Sequence, residues 1–135
     1  DGRLVVSAGE DRTVRVWDWA TRTEKVRMEG HDGRVNSAAF SLDGRLVVSA
    51  GEDRTVRVWD WATRTEKVRM EGHEGAANDA AFSLDGRLVV SAGDDRTVRV
   101  WDCEACGPIK EVLRLARTRV TRRLSPGERR TFLHE

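Results

Sequence analysis

The sequence has few of the residues that stabilise secreted or membrane-bound chains. Its 135 residues include two cysteines, at positions 103 and 106, so no disulfide framework can connect the bulk of the chain. No apolar run is long enough to span a bilayer, and no secretory signal pattern is present. A formal net charge of +1 predicts no polyanionic partner. We therefore expect a protein of a reducing, cytoplasmic compartment without membrane contact.

Motifs of enzyme chemistry are also missing. The chain contains no GxSxG nucleophile turn and no GxxxxGK(S/T) phosphate-binding loop. The CxxC formed by Cys103 and Cys106 is half of a zinc site, and no second pair accompanies it. The sequence thus predicts neither an enzyme nor a protein that holds a cofactor or a metal.

The chain does contain a long internal repeat. The stretch "SAGEDRTVRVWDW" occurs at 7–19 and again at 49–61, and "SAGDDRTVRVWDC" follows at 91–103. The period is 42 residues, and 38 of 42 positions are identical between units 1–42 and 43–84; a partial third unit covers 85–102. A period of this size indicates a repeat architecture in which each unit packs against the next.

Each unit is predicted to form four short strands. The segments 35–41, 45–50, 55–59 and 66–71 are rich in β-branched residues or alternate between apolar and polar residues. In the intervening "GEDR" turn, Gly51 is free to adopt a positive φ and Asp53 is able to accept bonds from nearby backbone amides. Short connections favour an antiparallel meander. Four strands at this period predict an all-β fold of four-stranded propeller blades.

Two further dipeptides identify a family. The pairs "GH" at 30–31 and 72–73, and "WD" at 17–18, 59–60 and 101–102, resemble the WD40 repeat over residues 1–102. The resemblance implies a β-propeller blade with strands a to d and a Trp–Ser–His–Asp hydrogen-bond network in each unit. It also implies a non-catalytic scaffold that binds proteins. The structural tetrads implied are His31, Ser49, Asp53 and Trp59, and His73, Ser91, Asp95 and Trp101. Unit one has Ser7, Asp11 and Trp17 without a histidine.

The number of strands predicts an open ring. From strand b of unit one to strand c of unit three there are ten strands, about two and a half blades, whereas about four blades are needed to close a propeller. We expect the C-terminal piece of a longer propeller; the alternative is a chain that assembles with other copies. Open faces and edges favour self-association in either case.

The few differences between the units cluster in one place. Four of them lie within six residues of the "GH" dipeptides, and a fifth, between Glu52 and Asp94, lies in the b–c turn. In WD40 proteins these two places meet on the rim that usually binds partners. The predicted partner-binding rim comprises Arg34, Asn36, Ser37, Glu52, Ala76, Asn78, Asp79 and Asp94. Chance is the alternative explanation. Trp19 and Trp61 are additional candidates for interface anchors.

The tail, residues 103–135, breaks the repeat. Ile109, Val112, Leu113, Ala116 and Val120 have helical spacing and predict an amphipathic α-helix. The tail is basic, with eight Lys/Arg against four Asp/Glu. A nucleic-acid-binding tail is therefore the alternative function, although a solvated or docked helix face is the interpretation we favour. For Cys103 and Cys106 we favour an incidental role over metal or redox chemistry. The tail resembles segments that follow WD40 arrays in bacterial signalling proteins.

Overall fold

The computed structural model describes residues 3–106, and every regular element within that range is a β-strand. The strands are β1 (Leu4–Ala8), β2 (Thr13–Asp18), β3 (Thr23–Glu29), β4 (Val35–Phe40), β5 (Leu46–Gly51), β6 (Thr55–Asp60), β7 (Thr65–Glu71), β8 (Ala77–Phe82), β9 (Leu88–Gly93) and β10 (Val98–Asp102). The predicted tail helix and its basic face lie outside the described residues.

The strands form three antiparallel sheets, ordered along the chain. The first sheet contains β1 to β3, the second contains β4 to β7, and the third contains β8 to β10. Neighbouring strands within each sheet are antiparallel throughout. The predicted all-β class is thus confirmed, with four meandering strands in the second sheet and three in each outer one.

The turns follow the repeat, but the positive φ that Gly51 could have adopted belongs to another residue of the turn. In the b–c turn of each unit the positive φ belongs to an arginine, as at Arg54 (φ 71°), and not to Gly51. The aspartate behaves as expected, because Asp53 Oδ1 accepts a bond from the Thr55 amide at 3.1 Å. In the a–b turn Gly44 does have a positive φ, of 75°. The backbone there is left-handed, a region that glycine enters without steric cost.

Each sheet has two faces of different character, which we call the network face and the valine face. In the second sheet the network face presents Val47, Ser49 and Trp59, and the valine face presents Val56 and Val58, all of them buried. The alternation follows from the period of two along a strand.

The core lies between the sheets. Val47 and Trp59, on the network face of the second sheet, cluster with Val14 and Val16 of the first sheet. Val56 and Val58, on its valine face, belong to a cluster with Val89 of the third sheet. Each network face therefore packs against the valine face of the sheet before it in the chain. This stacking leaves the network face of the first sheet and the valine face of the third sheet open within the described residues.

Candidate functional site

The second sheet contains a continuous chain of side-chain hydrogen bonds. Trp59 Nε1 donates to Ser49 Oγ at 2.9 Å, and Ser49 Oγ lies 2.7 Å from His31 Nε2. His31 Nδ1 lies 3.0 Å from Asp53 Oδ2. The structure thus brings together the four side chains that the family resemblance implied, from β6, β5, the β3–β4 loop and the β5–β6 turn.

The third sheet repeats this arrangement almost to the tenth of an ångström. Trp101 Nε1 donates to Ser91 Oγ at 2.8 Å, Ser91 Oγ lies 2.7 Å from His73 Nε2, and His73 Nδ1 lies 3.0 Å from Asp95 Oδ2. Two copies of one sequence in equivalent surroundings give the same geometry, which indicates that the network is a property of the repeat unit.

Strand register explains why the tryptophan meets the serine. Trp59 lies directly opposite Val47 in the β5–β6 pair, so Ser49 is its diagonal neighbour on the same face. Diagonal neighbours lie within reach of a large aromatic side chain. The indole N–H therefore reaches the serine with no departure from regular pairing between β5 and β6.

The donor and the acceptor of each hydrogen bond can be assigned in order along this network, from Trp59 to Asp53. The Ser49 oxygen accepts the indole proton, so its hydroxyl donates to His31 Nε2, and the Nδ1 proton of His31 faces Asp53. Burial lowers the pKa of His31, against the attraction of the Asp53 carboxylate, so the ring stays neutral. Burial by itself raises the pKa of Asp53, but the Asp32 amide and the Thr55 hydroxyl outweigh it and hold the value at about 2.

The equivalent carboxylate in the third sheet is also held ionised. The Thr97 hydroxyl lowers the pKa of Asp95 most strongly, burial opposes it, and the Glu74 amide adds to the lowering. Each aspartate thus remains an anionic acceptor at neutral pH, and each ties its turn to the loop that precedes strand a.

These distances match those of a Ser–His–Asp hydrolase triad, but the surroundings do not suit catalysis. Ser49 has no exposed surface and Ser91 has 1%. The oxygen of each serine already accepts an indole proton. A catalytic serine must be reachable by its substrate, and these two buried hydroxyls are not. We therefore interpret both networks as structural.

A buried arginine completes the second-sheet network, and the sequence reasoning missed it. The Arg57 side chain is 2% exposed; it contacts Asp53 at 3.0 Å and Glu66 at 2.8 Å. Its Nε also donates to Thr55 Oγ1 at 3.0 Å. The sequence contained one indication of this role: the alternation in "TVRVW" places Arg57 on the same face of the strand as Thr55 and Trp59.

Gly51 has a role other than the positive φ that it was free to adopt. A Cβ at this position would lie 2.6 Å from His31 Nδ1 and 2.9 Å from Asp53 Oδ1, and at Gly93 a Cβ would lie 2.6 Å from His73 Nδ1. These distances are shorter than any ordinary contact. Glycine is thus needed here to admit the histidine ring, and not to allow an unusual φ.

The predicted partner-binding rim lies at the end of the sheets that carries these networks. Six of its eight members are exposed, and Ser37 and Ala76 are half-buried. Backbone bonds join the two loops: the Glu52 amide donates to the Arg34 carbonyl, and the Asp94 amide to the Ala76 carbonyl, each at 2.8 Å. The loops that differ between units therefore do meet on one surface.

Rim side chains also contact one another between sheets. Ser37 Oγ donates to Asp79 Oδ1 at 2.8 Å, and Asn36 donates to the Ala77 carbonyl at 3.0 Å. Arg34 bridges two sheets, since its guanidinium lies 3.0 Å from Glu10 and 3.9 Å from Glu52. Ser37 and Asp79 occupy equivalent positions in two units, and because they differ, one can donate a hydrogen bond to the other across the sheet boundary. The repeat pattern in the sequence did not reveal this contact.

The CxxC segment forms a local cross-link. Cys103 and Cys106 are joined by a disulfide, and both are buried, with 1% and 4% exposure. The Cys103 amide donates to the Arg87 carbonyl at 2.9 Å, which attaches this segment to the third sheet. The sequence analysis did not anticipate this bond. A disulfide leaves no thiolate to bind a metal, and residues 3–106 contain no cluster of three or more potential metal ligands.

Comparison with known proteins identifies the class that this geometry defines. The repeat description "WD domain, G-beta repeat" matches residues 1–18, 22–60 and 64–102, well over half of the chain. The chain therefore belongs to the WD40-repeat family, whose repeats generally mediate protein–protein interaction and are typically non-enzymatic. The search of curated proteins found no match.

In the part of the chain that the structure describes, no helix has the length and apolarity to cross a membrane.

Proposed function

We propose that this chain is a non-catalytic scaffold that binds a protein partner through the rim. Within the signalling role that the sequence suggested, it would form the partner-binding end of a larger protein. The observation that carries the proposal is the location of the differences between units: they lie at one end of the sheets, mostly at positions that are not buried, and they leave every member of the Trp–Ser–His–Asp networks unchanged. Val35, which is replaced by Ala77 in the next unit, is the buried exception. Changes confined to such a surface alter recognition while the packing is retained.

The charge of the rim suggests the chemistry of the partner. Glu52, Asp79 and Asp94 present exposed carboxylates, against the single cation Arg34. Arg34 is itself paired with Glu10 and Glu52. A partner surface with lysine or arginine side chains would complement these carboxylates and would set the orientation of the complex.

Arg34 provides the sharpest test. The Arg34→Ala change introduces the residue already found at position 76, and surface ion pairs contribute little to stability, so the free energy of unfolding should change by about 0.5 kcal/mol or less. If the rim binds the partner, affinity should fall about tenfold or more. Lys67→Ala, on the exposed outer strand β7, is the matched control and should bind as the unmodified chain does.

The experiment isolates partners on the immobilised unmodified chain and then measures their affinities for the purified variants. Equal affinity for all three proteins would contradict the rim and would move the interface elsewhere, for example to Trp19, which is 64% exposed. Binding that requires residues 103–135 and weakens steeply with salt would instead support the nucleic-acid alternative. Sedimentation of the free chain tests the predicted self-association. The cytoplasmic location stays a prediction.

A further inference from the structure

The turn that follows strand c is a place where the third unit departs from the other two. Units one and two continue after "WD" with Trp-Ala-Thr-Arg, at 19–22 and 61–64, whereas unit three continues with Cys-Glu-Ala-Cys at 103–106. In unit three the Cys106 amide donates to the Cys103 carbonyl at 3.0 Å, and the disulfide closes the turn. We call residues 103–106 the cysteine turn.

The cysteine turn lies against Arg87, which precedes β9 at the end of the third sheet opposite the rim. The Cys103 amide donates to the Arg87 carbonyl at 2.9 Å, and Arg87 Nη2 donates to Glu104 Oε1 at 3.3 Å. The Cys106 carbonyl oxygen would lie 3.8 Å from a Cβ at Gly86, the neighbour of the arginine in sequence. The Arg87 side chain is only 1% exposed, so the turn and its surroundings cover it.

The equivalent arginines of the other units are exposed. The side chains of Arg3 and Arg45 have 61% and 52% of their surface in contact with water. The nine residues "DGRLVVSAG" around each of the three arginines are identical. Because the local sequence is the same and the exposure differs, the cysteine turn is the feature that distinguishes the covered arginine from the open ones.

Covering this arginine has a free-energy cost of its own. A guanidinium withdrawn from water is stable only when its N–H groups find partners. The Nε of Arg87 has no hydrogen-bond partner within residues 3–106. The carboxylates that contact the guanidinium, those of Asp102 and Glu104, are 53% and 74% exposed, and carboxylates so accessible to water contribute little to an ion pair. The covered conformation therefore depends on a turn that keeps its shape.

We propose that the Cys103–Cys106 disulfide is a redox-sensitive latch. In the oxidised state it holds the cysteine turn over Arg87, and in the reduced state the turn is released and the guanidinium is exposed, as that of Arg45 is. The reductant is a small thiol such as glutathione. Two thiol groups supply two electrons and two protons: the Sγ–Sγ bond breaks, two cysteine thiols form, and the reductant leaves as its own disulfide. The sequence by itself favoured an incidental role for this cysteine pair.

Two properties of the turn make it responsive to thiols. The stabilisation that a disulfide provides grows with the length of the loop it closes, and this loop spans only residues 103–106. Release of the turn also returns the unpartnered Nε of Arg87 to water. Cys103 and Cys106 are 1% and 4% exposed, so a thiol reaches them only when the turn opens. Opening and reduction are therefore coupled, which is the property required of a latch.

The first test compares Arg87 with Arg45 in the full chain by modification with an arginine-specific dicarbonyl reagent, mapped by mass spectrometry. Arg45 is an internal control with the same flanking sequence. In the oxidised chain Arg45 should react at least about tenfold faster than Arg87. In a Cys103→Ser/Cys106→Ser variant, which cannot form the disulfide, the two arginines should react at similar rates. Equal rates in the oxidised chain, or continued protection of Arg87 in the variant, would overturn the proposal.

Hydrogen exchange on the unmodified chain tests the same release without any substitution. Reduction should speed exchange of the Cys103 and Cys106 amides at least about tenfold, because the bonds that protect them belong to the closed turn. Exchange of the β5 amides in the second sheet should stay unchanged. Protection of the two cysteine amides that is the same before and after reduction would identify a purely structural cross-link and would contradict the latch.

A redox titration completes the design. The full chain is equilibrated in glutathione buffers of different ratios of reduced to oxidised form, and free thiols are then trapped by alkylation and counted by mass spectrometry. The disulfide should pass from oxidised to reduced within the range of the glutathione couple, in which regulatory disulfides respond and structural ones do not. A chain that stays oxidised in a large excess of reduced glutathione would refute the proposal.

Discussion

Replacing Ser49 with alanine should destabilise the protein much more than the same change at Ser7, although both serines lie in the sequence "LVVSAG". Ser49 is fully buried and takes part in two hydrogen bonds, one from Trp59 and one to His31. Ser7 is half-buried and accepts one bond, from Trp17. The two sites therefore differ in the number of polar groups that the substitution leaves without a partner.

The magnitudes follow from that difference. A buried polar group left unpaired costs about 1–3 kcal/mol, so Ser49→Ala, which leaves an indole N–H and an imidazole nitrogen unpaired, should cost about 2–6 kcal/mol. At Ser7 water can reach the freed indole N–H, and the cost should be about 0.5–1 kcal/mol. For a chain of 135 residues each kcal/mol corresponds to about 4 °C in melting temperature. The two variants should therefore melt about 10 °C apart.

The assay is thermal and urea unfolding followed by circular dichroism, with Ser91→Ala as an independent repeat of the Ser49 change in the third sheet. Ser91 is 1% exposed and makes the same two bonds, so it should behave like Ser49. Equal shifts for Ser7→Ala and Ser49→Ala would refute the reasoning, because they would mean that the histidine adds nothing to the stability of the network.

Three other predictions concern the same residues and the CxxC disulfide. Gly51→Ala should displace His31 and cost about 2 kcal/mol or more in unfolding free energy, since the new Cβ would lie 2.6 Å from Nδ1. Stability should fall as the pH drops below about 6.5, because the unfolded chain then binds a proton that His31, with its lowered pKa, does not. It should fall again between about pH 4 and 2, as Asp53, whose folded pKa is about 2, becomes protonated. Cys103 and Cys106 should not react with thiol reagents until a reductant is added, and reduction of so short a loop should cost about 2 kcal/mol or less.

Each of these has its own control. Gly33→Ala, whose Cβ would meet its nearest neighbours at 3.3 Å, should be milder than Gly51→Ala. In the acid titration, a flat stability between pH 7 and pH 5 would contradict a neutral, buried His31. Two thiols that react in the native, unreduced chain would show that the cysteines are free, as the reducing compartment expected from the sequence would require.

The sequence by itself determined the strand order and the repeat unit. A period of 42 residues, β-branched segments and short turns are local properties, so ten strands and their antiparallel pairing were predictable from them. The resemblance to the WD40 repeat also indicated which side chains form each network, because the members recur at constant spacing from the "GH" and "WD" dipeptides. The tail helix and its basic face were predicted from residues that lie outside the described range.

Only the tertiary structure decided the contacts between neighbouring units. The Ser37–Asp79 bond joins residues 42 positions apart, and Arg34 reaches Glu10 in the preceding sheet. The role of Gly51 likewise depends on where the His31 ring lies and not on the turn that contains the glycine. A sequence repeat shows which positions of the units are equivalent, but it does not show which residues of one unit contact the next. Distances between side chains of adjacent units are set by how one sheet packs on the next, and a one-dimensional pattern carries no measure of that packing.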